Sequence, residues 1–233
     1  MKSFLLIFTF AFGGLLSYAS PIKSALGAYR ISDDGEESPY DSLVEYIGFS
    51  VISAGDAKSM NISISDIQWD SFSISLYVPS TSLVGIRSGP GGKYIYLGSN
   101  RIAFNPDTYR GGYAFMGIQD GVPVITDRFV EYISPSPTRL YWKIDGTEYS
   151  VAACRNTGGD FGVLNEPYTT GGTLGYYVAW CKLYYKGECT LDLVPVRFTN
   201  EDGKREGGMI DLISGVLYRK NSGTGEFEIG PDL

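Results

Sequence analysis

The chain has 233 residues, 43% hydrophobic and 14% aromatic, with 30 Gly and a formal net charge of −7. That length fits one large domain or two small ones, and the acidic balance argues against a nucleic-acid partner, because phosphate backbones call for basic patches. The absence of histidine excludes Ser-His-Asp and Cys-His catalysis, imidazole-ligated metals and His proton shuttles.

The first residues have the layout of a secretory signal. Lys2 is a minimal positive region, Phe4 to Leu16 is apolar, and Ser17-Tyr18-Ala19 offers small residues for cleavage after Ala19. The competing reading is an N-terminal anchor helix, against which stand the shortness of the run and Gly13-Gly14 within it. No later stretch has transmembrane length, so no membrane span is expected once the signal is removed. Residues 1–19 are therefore read as signal, 20–39 as a polar linker and 40–233 as one domain, secreted or displayed at the cell surface. The linker holds Asp33-Asp34-Gly35-Glu36-Glu37, but the alternating ligand spacing of a calcium loop is missing.

From Ser42 onward, short alternating segments follow one another. Leu43 to Val51, Asn61 to Ser65 and Phe72 to Val78 each read as strands, the last ending at Pro79. Val84-Gly85-Ile86 leads into a Gly-rich loop, Ser88 to Gly92. Lys93 to Gly98, Arg101 to Phe104, Tyr113 to Ile118, Val122 to Ile125 and Phe129 to Ile133 continue the series, which Pro135 and Pro137 are expected to break. Leu140 to Ile144 and Thr147 to Val151 flank Asp145-Gly146, the signature of a type I′ hairpin. Asn156 to Thr173 is a long Gly- and Thr-rich segment with one short strand or helical turn at Phe161 to Leu164.

The C-terminal quarter begins with a strand, Tyr177 to Tyr185, predicted to put Ala179, Cys181, Leu183 and Tyr185 on one face. Across a turn at Lys186-Gly187, Cys189, Leu191 and Leu193 share a face of its partner, which ends at Val194-Pro195-Val196-Arg197. Cys181 then falls opposite Asp192 or Leu193 and Cys189 opposite Tyr184 or Tyr185, too far apart to bond to each other. Cys154 with either partner stays open, as does the reading of three small thiols. A polar loop, Thr199 to Arg205, precedes a second hairpin over Gly208 to Tyr218, a tight loop at Asn221 to Gly225, and a closing segment, Glu226 to Gly230. No helical period of useful length follows the signal, so the class is all-β, a sandwich or barrel.

Asp192-Leu193-Val194-Pro195-Val196-Arg197, then Asp211, Gly215, Asn221, Gly223-Thr224-Gly225-Glu226-Phe227 and Gly230-Pro231 resemble the C-terminal end of laminin-G-like, concanavalin A-like domains of secreted bacterial and phage proteins. Leu43-Val44-Glu45-Tyr46-Ile47 resembles their first strand, while Gly48 to Gly55 departs from the usual continuation. The resemblance implies a two-sheet antiparallel jelly-roll sandwich whose N- and C-terminal strands pair near each other. The motif positions themselves read as structural: Pro195 for a strand end or edge, Asp211 and Asn221 for capping turns. Asp192 and Arg197 lie on opposite faces of one strand.

No catalytic residue is nominated. The carboxylate strands of laminarinase-like hydrolases are absent; the nearest pairs are Asp66 with Asp70 and Glu226 with Glu228. No cofactor is nominated either: calcium accompanies this fold class, but no ligand spacing supports it, and no metal ligands are nominated. What remains is a binding surface, since sugar-binding sandwiches stack aromatic faces on pyranose rings. The candidates are Tyr109, Arg110 and Tyr113 in one loop, with Trp69 and Tyr168. The expected function is a non-catalytic recognition or adhesion module for a glycan or a cell-surface protein. A structural protein-binding module and a divergent glycoside hydrolase on Glu226 or Glu228 are the alternatives.

Overall fold

In a computed structural model of the chain, residues 38–49, 62–79, 93–97, 100–104, 127–136, 139–152, 160–164, 175–221 and 226–233 are described. Among them every regular element is a strand. In chain order these are β1 (Ser42–Leu43), β2 (Ile47–Phe49), β3 (Ile62–Ile64), β4 (Ser71–Tyr77), β5 (Lys93–Leu97), β6 (Asn100–Phe104), β7 (Phe129–Ser136) and β8 (Arg139–Ile144). They continue as β9 (Thr147–Ala152), β10 (Phe161–Val163), β11 (Tyr176–Tyr185), β12 (Glu188–Thr199), β13 (Arg205–Asp211), β14 (Leu217–Tyr218) and β15 (Glu228–Ile229).

One large antiparallel sheet runs in the order β14-β13-β12-β11-β4-β7-β8-β9. Two small two-stranded sheets, β10-β3 and β5-β6, accompany it. The core between them is aliphatic and aromatic: Phe72, Ile74 and Leu76 from β4, Val130 and Tyr132 from β7, Cys181 and Leu183 from β11, and Ile62, Ile95 and Phe161 from the small sheets are all buried in one cluster. Burying each large apolar side chain contributes about 1.5–3 kcal/mol. The alternation also pins the register, because a one-residue slip would turn every one of these residues into water. A smaller apolar cluster, Val194, Val196 and Ile210, lies on the opposite face at the β12–β13 end.

The two long strands β11 and β12 diverge after Cys181 and Leu193, and the gap is filled by the start of the domain. There β1 pairs Val196 and Arg197 of β12, while β2 pairs Tyr176 to Val178 of β11. The segment expected as a single strand from Leu43 is therefore split at Val44 to Tyr46, where it changes partner. The far side of β2 takes β15, and Val44 bridges Asp232, so the two ends of the domain lie side by side. Arg197 reaches Asp232 and the Gly230 carbonyl across this seam.

Other expectations are corrected by the strand partners. β7 runs on through Pro135 to Ser136; the proline is tolerated because its pairing with β4 stops at Ser134 and its register with β8 shifts there. Pro195 is inside the sheet, not at its edge. It lies opposite Met209, and its carbonyl accepts the Val44 N–H, so its missing donor falls where β12 exchanges β11 for β1. A bulge between Val178 and Trp180 takes Ala179 out of the row of Cys181 and Leu183, and Tyr185 is only half-buried. A second bulge, at Thr190, leaves Cys189 exposed while Leu191 and Leu193 are buried. Cys181 faces Leu193 and Cys189 faces Tyr184, as the turn geometry predicts, and both are free thiols. Cys154 lies outside the described residues, as do the strands expected at Val84 to Ile86, Tyr113 to Ile118 and Val122 to Ile125.

Both hairpin turns have two residues at positive φ, the type I′ requirement: Asp145 and Gly146 at 48° and 80°, Lys186 and Gly187 at 53° and 84°. Phe161 to Val163 is a strand and not a helical turn.

Candidate functional site

The core-facing alternation dictates what the other face of the large sheet carries. On β4, Phe72, Ile74 and Leu76 point inward, so Ser71, Ser73, Ser75 and Tyr77 point outward. The same parity puts Phe129, Glu131 and Ile133 of β7 outward, together with Tyr177, and beyond the bulge Trp180, Lys182 and Tyr184, of β11.

Register then assembles an aromatic corner. Phe129 lies opposite Tyr77, Tyr77 opposite Tyr177, Tyr177 opposite Gly48, and Gly48 opposite Glu228. Tyr46, two residues before Gly48, joins from the next row. Ring centroids are 5.4 Å apart for Tyr77–Phe129, 5.9 Å for Tyr77–Tyr177, 5.2 Å for Tyr46–Tyr177 and 5.9 Å for Tyr46–Phe129. The four rings close a circuit with interplanar angles of 59°, 71°, 72° and 41° in that order; the two pairs made by Tyr177 are edge-to-face, the arrangement that ring quadrupoles favour, and the two made by Phe129 are tilted. Phe129 stands 37% exposed, one of three exposed large hydrophobic residues among those described.

Gly48 is what lets this corner reach β15. A Cβ there would lie 2.6 Å from Cδ1 of Tyr177 and 2.3 Å from the Tyr176 carbonyl oxygen. With no side chain in the way, the Tyr177 ring crosses β2 and its hydroxyl donates to Oε2 of Glu228 at 2.6 Å. Partial burial, and then that hydrogen bond and the carboxylate charge, hold the Tyr177 hydroxyl well above the usual phenol range. Partial burial and the neighbouring Asp127 raise Tyr77 as well. Both rings are therefore neutral hydrogen-bonding groups throughout the physiological range.

Away from the corner, Lys182 and Asp192 pair at 2.7 Å across β11 and β12. Burial pulls the Lys182 ammonium down, but the hydrogen bond and charge of Asp192 outweigh it and the lysine is raised. The carboxylates considered for hydrolysis are committed to separate partners. Lys204 reaches Glu226, Tyr177 donates to Glu228, and Asp70 accepts the Lys186 N–H and the Ser71 hydroxyl beneath the hairpin turn. No group of three or more Cys, Asp or Glu side chains suited to a metal ion occurs among the described residues.

Of the binding residues nominated from sequence, Tyr109, Arg110, Tyr113 and Tyr168 lie outside the described residues. Trp69 is half-buried and stands edge-on to Phe72 and Phe161, 6.3 and 5.2 Å away, at the margin of the main core. It does not join the aromatic corner. Tyr46, Tyr77, Phe129 and Tyr177 were missed by the sequence reading. The available signal was parity, and it served Tyr77 alone: that ring falls on the serine beat of its strand, where a large side chain needs another reason to be present, whereas Phe129 shares its beat with Glu131 and Ile133. No family model, curated protein or solved structure matches the chain.

Proposed function

We propose that the chain is a secreted, non-catalytic recognition or adhesion module of the concanavalin A-like sandwich class, and that it binds carbohydrate on the Tyr46–Tyr77–Phe129–Tyr177 corner. The observation that carries the reading is the aromatic circuit itself, open to solvent at Phe129 and bordered by a hydrogen-bonded Tyr177–Glu228 pair. Ring faces and edges suit the C–H surface of a pyranose, and the phenol and carboxylate suit its hydroxyls. The all-β architecture and the side-by-side domain ends support the sandwich class.

A glycan array with the purified chain tests it. The expected result is binding to a restricted set of glycans. Phe129→Ala and Tyr77→Ala should each weaken that binding by about 0.5–1.5 kcal/mol, with the thermal midpoint little changed for Phe129→Ala. An array and a protein pull-down that are both empty at high concentration would sink the recognition reading altogether.

A second reading, a protein-binding module, has one observation in its favour: Ile213 and Val216 stand 55% and 49% exposed on the turn between β13 and β14. If that reading is right, a protein is captured from a surface extract, and Ile213→Ser with Val216→Ser releases it.

A further inference from the structure

Resting on that carbohydrate reading, we infer that the sugar seated on the corner carries a positive charge: it is an amino sugar whose nitrogen is a free ammonium group. The rings and the groups that border them carry this together.

An aromatic face is the negative part of the ring quadrupole, so a cation held above it gains attraction beyond that of a neutral C–H surface. The corner gathers four such rings; Tyr46, Tyr77 and Tyr177 are half-buried and Phe129 is exposed. Centroid separations of 5.2–5.9 Å put these rings in contact with one another. They form a surface and not a hollow cage, which fits a sugar ring laid on it better than a cationic side chain inserted between rings.

Carboxylates border this surface on three sides. Glu228 stands at the β15 end, where it accepts the Tyr177 hydroxyl. A phenol is a neutral donor, so that bond leaves the carboxylate charge in place. Asp127 is exposed two residues before Phe129, with its N–H on the carbonyl of Val78, the residue after Tyr77. Glu131 leaves the same face of β7 as Phe129, two residues on and about 7 Å along the strand. After burial, the charge of Asp127 raises the Tyr77 hydroxyl, and the hydrogen bond and charge of Glu228 raise that of Tyr177. A field that keeps protons on phenols also favours an ammonium group placed beside them.

The bases nearby do not reverse this field. Arg128 turns to Asp145 at 3.6 Å, and Lys182, further along β11, pairs with Asp192. Lys143 stands in register between Glu131 and Glu148, so that row keeps an acidic excess. A uronic acid or a sulfated sugar would meet like charge around the rings, and a neutral sugar would gain nothing from the border.

The test uses the folded full chain in calorimetry, at mildly acidic pH where sugar amines are protonated. Three hexasaccharides share one β-1,4 backbone and differ at C2: cellohexaose with hydroxyl, chitohexaose with acetamide, and hexaglucosamine with ammonium. Hexagalacturonate supplies the anionic case. Hexaglucosamine is expected to bind about tenfold tighter than cellohexaose, a difference of about 1.4 kcal/mol, with hexagalacturonate weakest and the advantage shrinking as salt is added. Glu228→Gln, which keeps an acceptor for Tyr177, and Glu131→Gln should each cut that advantage about threefold. Glu188→Gln makes the same change in net charge on the exposed far end of the β11–β12 hairpin, about 25 Å away along β11, and should leave the advantage intact. No binding of hexaglucosamine, equal affinity for the hydroxyl and ammonium forms, an advantage indifferent to both corner variants, or one that Glu188→Gln reduces as much would overturn the inference while leaving the corner open to other sugars. Binding of a trimethyllysine peptide that Phe129→Ala abolishes, with no glycan bound, would overturn both.

Discussion

Asp211 is the residue on which the C-terminal hairpins turn. It is 2% exposed, and its carboxylate accepts the Asp192 N–H at 2.8 Å, the Ile213 and Ser214 N–H groups at 3.1 Å, and the Ser214 hydroxyl at 2.5 Å. Replacing it with Ala would leave several part-buried donors without this acceptor, each at up to about 1–3 kcal/mol. Asp211→Ala is expected to cost about 3 kcal/mol in denaturant melts, well above an ordinary surface substitution. A loss below about 1 kcal/mol would show that water replaces the carboxylate. The two described cysteines differ just as sharply. Cys181 is buried, and burial pushes its thiol far up, whereas Cys189 is exposed on its bulge. A thiol reagent should modify Cys189 in the native protein and reach Cys181 only on unfolding, which mass spectrometry of the labelled peptides can resolve.

At the scale of elements, turns and bulges decide which side chains share a face. Lys186 holds a left-handed φ of 53° next to Gly187, a conformation that asparagine tolerates better than lysine. Lys186→Asn should stabilise the β11–β12 hairpin by about 0.5 kcal/mol, on the scale of other turn optimisations. The four-strand row from Tyr77 to Glu228 makes a pH prediction. The folded Tyr177 hydroxyl is raised above its unfolded value near 10 by burial first and by Glu228 second. Its contribution is therefore whole below about pH 10, and it is lost as pH climbs from there through the raised folded value. Stability against urea should fall on that alkaline limb, and Tyr177→Phe should flatten it. An unchanged limb would place the loss in other tyrosines.

At the scale of the molecule, the fold closes by joining its two ends. Ser42 donates to Asp232 across 190 positions of sequence, and Phe227 enters the main core from the last segment. Phe227→Ala should cost about 3–5 kcal/mol, the usual range for a buried ring, and should loosen β2 along with β15 because Ile47 pairs with Ile229. Hydrogen exchange at the Glu45 and Gly230 amides, which bond to Pro231 and Tyr46, would report the loosening. Slow exchange retained at both amides would mean that β2 is held by β11 alone.

Local chemistry was enough to determine the all-β class, the type I′ turn at Asp145-Gly146, the position of a turn at Lys186-Gly187, the alternation of β4, and the inability of Cys181 and Cys189 to bond to each other. Each of these depends on backbone preference or on period-two alternation, which neighbouring residues specify by themselves. Tertiary structure decided the rest. The split of the first strand, the interior place of Pro195 and the passage of β7 through Pro135 follow from which strand lies alongside. The aromatic corner follows from five strands meeting in register, from Phe129 through Tyr77, Tyr177 and Gly48 to Glu228. No single segment contains more than two of those residues, so their meeting is a property of strand pairing and could not be read from any one stretch of the chain.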